Sequence, residues 1–273
     1  MVLNSLDGKV AVVTGAANGI GKAIVDELLQ EGMSVCLADI EALALEQAAR
    51  DCARFLRPGR RVATQVTDVS QPEQVRALAT AARAELGDVH LLCANAGTVT
   101  PFGGAPDETP LEDWHLMMAV NLYGVVHCLQ AFMPGMRSMS EASHVLITAS
   151  SAGILATANR AAYCASKHAV VGLGESLYLQ LKGTQVGVSL LCPGVTATRL
   201  IDPDRNRPPG APGRPLSAAF LARAKPPSDI ARQAVAGIRT GKFWILTHDD
   251  LPAAVLDRAR AMATGEPPPD SYH

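Results

Sequence analysis

The chain has 273 residues, 48% of them hydrophobic and 18% charged, with a formal net charge of −2. This length suits one large α/β domain or two small ones, and the near-neutral charge gives no electrostatic reason to expect nucleic acid or an anionic membrane as partner. The sequence has no basic-then-apolar leader and no run of about 18 apolar residues, so we expect a cytoplasmic protein without a membrane span.

Cysteine and histidine spacing argues against a disulfide framework and against a metal site. The six cysteines are spread one per segment with no CxxC pair, and the seven histidines show no ligand spacing. Cysteines in this pattern are small buried hydrophobes of a reducing compartment. We therefore predict no bound metal.

A strand, a glycine-rich turn and a helix open the chain. Residues 9–13 are rich in valine, which is typical of a strand buried on both faces of a parallel sheet. The turn TGAANGIG follows at residues 14–21, and a helical pattern runs from 22 to 30. Such a turn lets backbone approach a pyrophosphate, and the helix N-terminus adds N–H groups and a positive dipole. The spacing is GxxxGxG and not GxGxxG, so a turn that needs glycine only for its own shape is the alternative.

The second predicted strand, residues 33–38, ends on Asp39. An acidic residue there can accept hydrogen bonds from the adenosine ribose hydroxyls and repels a 2′-phosphate. Ile40 follows where an arginine would favour NADP, so the pattern favours NAD over NADP. Asp39 can also serve as the N-cap of the next predicted helix, residues 41–57.

Strands and helices continue to alternate through the chain. Further strands are predicted at residues 61–66, 89–94, 145–147, 187–191 and 243–246, with helices at 71–86, 114–136, 161–181, 228–240 and 252–262, the last capped by Asp250. This alternation predicts right-handed βαβ units in a doubly wound, Rossmann-type α/β fold: a mostly parallel seven-stranded sheet with helices on both faces. The fourth strand leads into Asn95-Ala96-Gly97, small residues that let a ligand approach the backbone.

Two helical segments are unusually apolar. Residues 114–136 carry hydrophobic side chains around nearly the full circumference, and residues 161–181 are similar. A helix that is apolar all round is buried on two sides, and the second side is most simply another subunit. We therefore expect a homo-oligomer through these helices. Asn121 is a polar residue inside the first of them, and most such residues are satisfied structural groups.

A hydroxyl, a phenol and an ammonium group converge on one region. Tyr163 and Lys167 lie four residues apart on one helix face, and Ser150 lies just beyond the strand at 145–147. A nearby cation favours the phenolate, so Lys167 is expected to lower the Tyr163 pKa towards neutrality. The alternative is a buried tyrosine beside a lysine that reaches for solvent.

Composition changes sharply between residues 199 and 227, which are rich in proline and arginine. A stretch of this length without strong patterning is typical of a lid or a disordered loop. We predict a single domain, residues 1–273, with a substrate flap at about 199–227.

In chain order, these motifs resemble the compact form of the short-chain dehydrogenase/reductase family. They are TGxxxGxG at 14–21, Asp68, Asn95-Ala96-Gly97, Asn121, Ser150, Tyr163xxxLys167 and Pro193-Gly194, and the resemblance covers residues 6–245. The one departure is Ala94 where the family often has a second asparagine, but Asn95 keeps the functional position.

The resemblance implies the site. Tyr163 would be the general acid/base, Lys167 would bind the nicotinamide ribose, and Ser150 would hold the substrate oxygen. Asn121 would anchor a water chain that relays the proton outward past Lys167. The residues lining the dinucleotide would be Gly15, Asn18, Gly19, Ile20, Gly21, Asp39, Asp68, Val69, Asn95, Ala96, Gly97, Tyr163, Lys167, Pro193, Gly194, Val195 and Thr198. Homotetramers are common in the family.

We therefore expect hydride transfer between NAD(H) and a small secondary alcohol or ketone. The substrate is expected to be hydrophobic or aromatic, because the residues expected to face it are apolar: Val99, Phe102, Ile154 and Leu155. The flap arginines are either a solvated surface or a recognition site for a carboxylate or phosphate tail: Arg199, Arg205, Arg207 and Arg214. The alternatives are an NADP-linked ketone or 3-oxoacyl reductase, and a non-catalytic regulator that senses NAD(H).

Overall fold

Seven strands form one sheet at the centre of the computed structural model, which describes residues 2–99, 105–201 and 223–269. Every strand pair is parallel, in the order β3-β2-β1-β4-β5-β6-β7. The strands are β1 (Val10–Thr14), β2 (Ser34–Asp39), β3 (Val62–Val66), β4 (Leu91–Ala94), β5 (Ser143–Thr148), β6 (Val186–Cys192) and β7 (Trp244–Leu246). The predicted doubly wound sheet is confirmed, and it is parallel throughout the described residues.

Helices cover both faces of this sheet. They are α1 (Gly19–Gln30), α2 (Ala42–Cys52), α3 (Pro72–Leu86), α4 (Leu111–Met117), α5 (Gly124–Ser138), α6 (Ala161–Leu181), α7 (Pro227–Thr240) and α8 (Leu251–Thr264), with short 3-10 turns at Ala53–Phe55, Ser151–Gly153 and Arg199–Ile201. One hydrophobic cluster joins the sheet to α3, α5 and α6, and a second joins it to α1, α2 and α7.

Each buried strand contributes to both clusters. On β1, Val10 and Val12 belong to one cluster, while Ala11 and Val13 belong to the other. Alternate side chains point to opposite faces of a strand, so a strand covered by helices on both sides must be apolar throughout. The strand order reverses between β1 and β4, and the carboxyl ends of these strands open the crevice where such folds bind ligands.

Several element boundaries differ from those predicted from the sequence. Helix α1 begins at Gly19, so the end of the glycine-rich turn forms its first turn. The long apolar helix is continuous from Leu111 but contains one π-helical stretch, Met118–Tyr123. Asp39 is not the cap of α2, since Glu41 occupies that position. Asp250 occupies the N-cap position of α8 as predicted, but its carboxylate makes no capping hydrogen bond and pairs with Arg223.

The expected oligomer surface stays a prediction. Large apolar side chains remain exposed on the two helical segments, including Tyr123 (54%) and Leu179 (69%). The segment Leu111–Ser138 is also long and apolar enough to cross a membrane by length and composition alone. It packs against α3 and α6 and contributes to the core beside the sheet, which agrees with a core helix. Of the predicted flap, residues 202–222 lie outside the described part of the chain.

Candidate active site

A cleft of about 370 Å³ opens at the carboxyl edge of the sheet. Its walls bring together all the residues that the sequence predicted to line a dinucleotide: Gly15, Asn18, Gly19, Ile20, Gly21, Asp39, Asp68, Val69, Asn95, Ala96, Gly97, Tyr163, Lys167, Pro193, Gly194, Val195 and Thr198. Ser150 also lines the cleft, while Asn121 lies fully buried behind it. The residues are thus assembled in one place, and their individual roles stay predictions.

The glycine-rich turn requires its glycines for two different reasons. Gly15 has φ of +65°, a left-handed conformation that favours glycine. Gly21 has ordinary backbone geometry, but a Cβ there would stand 2.1 Å from the Gly15 carbonyl oxygen. The turn can therefore pack tightly under the start of α1, whose first N–H groups have no helical carbonyl to bind. Those N–H groups suit an anion at this end of the cleft.

Asp39 fixes the turn as well as lining the cleft. Its Oδ2 accepts a hydrogen bond from the Ala17 N–H (2.9 Å), and its Oδ1 accepts one from the Glu41 N–H (3.1 Å). The residue is only 6% exposed. Each carboxylate oxygen has a second lone pair, so Asp39 can still accept hydrogen bonds from a ligand hydroxyl.

Asn95 is held by two threonines that sequence reasoning did not assign to the site. The Thr14 hydroxyl accepts hydrogen bonds from the N–H groups of Asn95 and Ala96, both at 3.0 Å. The Asn95 amide donates to the Thr14 carbonyl (3.0 Å) and accepts from the Thr148 hydroxyl (3.0 Å). The ends of β1, β4 and β5 are therefore tied together. Thr14 begins the TGxxxGxG motif, which was the available signal for it.

Ser150, Tyr163 and Lys167 meet on one side of the cleft. Ser150 lies two residues beyond β5, and its hydroxyl accepts a hydrogen bond from the Ala152 N–H at 3.1 Å. Lys167 is 4% exposed, donates to the Thr148 carbonyl (3.0 Å), and places its Nζ 6.0 Å from the centre of the Tyr163 ring. A Cβ on Gly97 would lie 3.4 Å from that Nζ, so glycine leaves room beside the ammonium.

Burial dominates the proton affinities of this group. It raises the Tyr163 pKa, although the Ser150 hydroxyl and the Arg160 charge act to lower it. Burial also lowers the Lys167 pKa to about 8. The expected lowering of the Tyr163 pKa by Lys167 is therefore wrong for the protein itself, because desolvation outweighs the nearby charges.

Arg160, the residue before α6, is a cleft-lining cation that the sequence argument missed.

Asn121 sits in the π-helical stretch and is fully buried. Its Oδ1 accepts the Thr98 N–H (2.8 Å), and its Nδ2 donates to the Thr98 carbonyl and to the Ser166 hydroxyl, both at 3.0 Å. The side chain therefore joins the loop after β4 to helix α6, next to Lys167. π-Helical stretches occur often at functional sites. The water-relay role of Asn121 stays a prediction.

The predicted substrate-facing residues need one correction. Val99, Ile154 and Leu155 do not line the cleft: Leu155 is 6% exposed, Ile154 packs against the hydrophobic core, and Val99 packs against the buried cluster that contains Tyr163. Large apolar residues that do line the cleft include Leu116, Val120 and Leu200. These side chains come from α4, the π-helical stretch and the turn Arg199–Ile201, and not from the segment directly after Ser150. Phe102 lies outside the described residues, as do Arg205, Arg207 and Arg214.

This combination of a doubly wound parallel sheet, a glycine-rich turn and a buried serine–tyrosine–lysine group defines a nucleotide-dependent oxidoreductase. Comparison with known proteins identifies the family. Residues 9–208 match the family described as short chain dehydrogenase, and the chain belongs to that family.

Relatives of known name and structure extend over nearly the whole chain. It is similar to 1-deoxy-11-beta-hydroxypentalenate dehydrogenase of Streptomyces arenae, with 34% identity over 92% of this chain and 86% of the relative. A crystal structure of a short chain dehydrogenase/reductase from Burkholderia phymatum in complex with NAD superposes with a TM-score of 0.88 and 38% identity, covering 98% and 99% of the two chains. An alcohol dehydrogenase from Thermococcus sibiricus, complexed with 5-hydroxy-NADP, gives a TM-score of 0.74 and 26% identity, covering 87% and 95%.

Proposed function

We propose that this protein is an NAD-dependent dehydrogenase that interconverts a hydrophobic secondary alcohol and its ketone. The observation that carries the proposal is that Ser150, Tyr163 and Lys167 are all buried and line one cleft, with the Lys167 Nζ 6.0 Å from the centre of the Tyr163 ring. A protein that only sensed NAD(H) would not need an acid–base group at that position.

The cleft has the donors and acceptors that a dinucleotide requires. Asp39 provides a carboxylate at one end, and the first turn of α1 provides backbone N–H groups for a pyrophosphate. Lys167 provides a donor at the other end, where Gly97 leaves the space open. A bound nicotinamide would supply the hydride acceptor for alcohol oxidation, or the hydride donor for ketone reduction.

The protein's own part is to orient the substrate oxygen and to move its proton. In this proposal the hydroxyls of Ser150 and Tyr163, which both line the cleft, hold the same substrate oxygen. In alcohol oxidation, the Tyr163 phenolate accepts the hydroxyl proton; in ketone reduction, the Tyr163 phenol donates it. The Ser150 hydroxyl donates a hydrogen bond to the oxygen as negative charge develops there. Lys167 is suited to pass on that proton, since burial brings its pKa to about 8.

Preference for NAD over NADP rests on Asp39. Its buried carboxylate would lie against the 2′ position of the adenosine ribose, and a phosphate there would meet negative charge. Ile40, the next residue, also lines the cleft and offers no positive charge. The relative from Burkholderia phymatum was crystallised with NAD, which supports this choice. The relative complexed with 5-hydroxy-NADP keeps an NADP-linked ketone reductase as the second candidate.

The apolar lining favours a hydrophobic substrate. Leu116, Val120 and Leu200 line the same cleft as Tyr163. The similar dehydrogenase from Streptomyces arenae is named for a hydroxypentalenate, a hydroxylated compound, which is consistent with an alcohol as substrate. We also propose that the protein is cytoplasmic and forms a dimer or tetramer through α5 and α6.

A panel of secondary alcohols, each mixed with NAD or NADP while NADH or NADPH absorbance is followed, tests the proposal. We expect turnover of apolar cyclic or aromatic alcohols with NAD. Binding of NADH without turnover of any alcohol or ketone would favour the sensing alternative, and faster turnover with NADP would favour the second candidate.

A further inference from the structure

A buried histidine beyond the last strand lies against the loop that follows β6. His248 is 7% exposed and comes two residues after Leu246, the end of β7. Its Nδ1 accepts a hydrogen bond from the Gly194 N–H at 3.2 Å, and its Nε2 lies 3.0 Å from the Val195 carbonyl oxygen. A Cβ on Gly194 would stand 2.8 Å from the same Nδ1, so the ring packs directly on the loop backbone.

These contacts define the protonation state of the ring. The Gly194 N–H is a donor, so Nδ1 must carry a lone pair, and the Thr247 hydroxyl lies 2.9 Å from the same nitrogen. The Val195 carbonyl is an acceptor, so Nε2 must carry the proton. His248 is therefore neutral in this arrangement. Burial also lowers its pKa, and so do the charges of Lys225 and Arg223, against the opposing effects of the Val195 hydrogen bond and of Asp250.

The two contacts fix the peptide that lies between them. His248 holds the Gly194 N–H on one side and the Val195 carbonyl on the other, and the Thr196 hydroxyl donates to the Gly194 carbonyl at 3.1 Å. Because a trans peptide is planar with its N–H and carbonyl antiparallel, the Val195 N–H must point away from Thr196. The direction of that N–H is thus set by His248 and Thr196 together.

The loop is anchored at its other points as well. The Pro193 carbonyl accepts the Ser151 N–H (2.8 Å), next to Ser150. The Val195 carbonyl also accepts the Lys225 N–H (3.0 Å), and the Lys225 carbonyl accepts the Ala197 N–H (3.0 Å). His248 adds the contact from the side of β7, which connects this loop to the last strand.

We propose that His248 is a positioning residue for the nicotinamide half of the cofactor. This inference rests on the proposed function: Gly194 and Val195 line the cleft, and the Pro193 carbonyl is bonded to Ser151, next to Ser150, so this loop lies at the end of the cleft where the reacting nicotinamide would bind. His248 does not itself line the cleft; it acts by holding the Gly194–Val195 peptide in one orientation. Its loss should therefore weaken only those ligands that carry the nicotinamide.

Calorimetric titration with NADH and with ADP-ribose, which lacks the nicotinamide, tests this directly. For His248→Leu we expect NADH affinity to fall about tenfold, since two hydrogen bonds to the loop are lost, while ADP-ribose affinity stays within about twofold. The matched control is His144→Leu, which removes another buried imidazole, bonded to Ser189 and outside the cleft. For the control we expect no change in the ratio of the two affinities.

Two milder variants keep the test valid if His248→Leu does not fold, which a thermal unfolding curve would show. His248→Asn can still accept from the Gly194 N–H, and His248→Gln can still donate to the Val195 carbonyl, so each should lose less NADH affinity than leucine. Wild-type NADH affinity should also fall at acidic pH, below the ordinary imidazole range because burial lowers the His248 pKa, as Nδ1 gains a proton that opposes the Gly194 N–H. The asparagine variant should lack this dependence. Asp249 near Lys225, and the Arg223–Asp250 pair, are the other charges close to the ring.

Equal weakening of both ligands, or unchanged NADH affinity in the leucine variant, would overturn the positioning role. Failure of the wild-type protein to bind NADH would overturn the proposed function and this inference together. Normal NADH binding with unchanged variants would overturn this inference alone.

Discussion

Lys167 couples the candidate active site to the stability of the whole fold. The side chain is buried, and burial lowers its pKa from 10.5 to about 8. The difference, 10.5 − 8 = 2.5 units, corresponds to about 3 kcal/mol of unfavourable free energy for the charged form. Between these two pKa values the unfolded chain binds more protons than the folded protein. The contribution of Lys167 to the free energy of unfolding therefore rises with pH across that window, and its penalty is fully present below pH 8.

Replacing Lys167 by methionine should remove this pH-dependent term. Methionine keeps most of the buried volume and loses the hydrogen bond to the Thr148 carbonyl, a loss of about 1 kcal/mol that does not depend on pH. Relative to wild type, the variant should thus be more stable at pH 7 than at pH 10 by about 2–3 kcal/mol. Tyr163 is present in both proteins, so its contribution cancels in this difference. Cys192 interacts with the Lys167 charge, but burial raises its pKa to about 12, above this pH window.

Urea unfolding followed by circular dichroism at several pH values measures the effect. Lys182→Met, an exposed lysine directly after the same helix, is the matched control and should show no such trend. A pH-independent difference between wild type and Lys167→Met would refute the reasoning, because it would mean that the ammonium is not desolvated in the fold. The same variant should lose catalytic activity even where it gains stability.

Three further substitutions test the site. Tyr163→Phe should lower kcat by about 10²–10⁴-fold while NADH still binds. Tyr178→Phe, on the same helix, is the control. Retention of more than about a tenth of wild-type turnover would remove Tyr163 from acid–base catalysis. Asp39→Ala should raise the use of NADP relative to NAD, measured as a ratio of kcat/KM values, and an unchanged ratio would remove Asp39 from cofactor choice. Gly21→Ala should abolish dinucleotide binding by calorimetry, since its Cβ would stand 2.1 Å from the Gly15 carbonyl oxygen; near-normal affinity would contradict the tight packing of the turn.

Local patterns in the sequence were enough to predict the fold. The strands are short apolar runs because both sheet faces are covered, and the glycine-rich turn directly follows the first of them. The strand ends then place Asp39, Asn95 and Ser150 along one edge, because parallel strands end together. The prediction of the cleft-lining set depended mainly on this rule and on the family motifs.

The features that sequence reasoning missed depend on tertiary contacts. His248 lies far along the chain from Gly194, and only the pairing of β6 with β7 brings them together. The π-helical stretch around Asn121 occurs inside an apolar helix whose composition gives no signal for it. The direction of the Tyr163 pKa shift depends on how deeply the phenol is buried, and a four-residue spacing from a lysine carries no information about depth.

Burial explains both the pKa shifts of Tyr163 and Lys167 and the free energy that a buried charge costs the fold. Burial disfavours the charged forms of both Tyr163 and Lys167, because the protein has removed water around them. The same removal of water strengthens any hydrogen bond that Ser150 or Tyr163 forms to a substrate oxygen. A fold optimised only for stability would replace Lys167 by an apolar residue. The presence of a buried ammonium, held by a single described hydrogen bond to Thr148, is therefore itself an argument that this position serves chemistry and not packing.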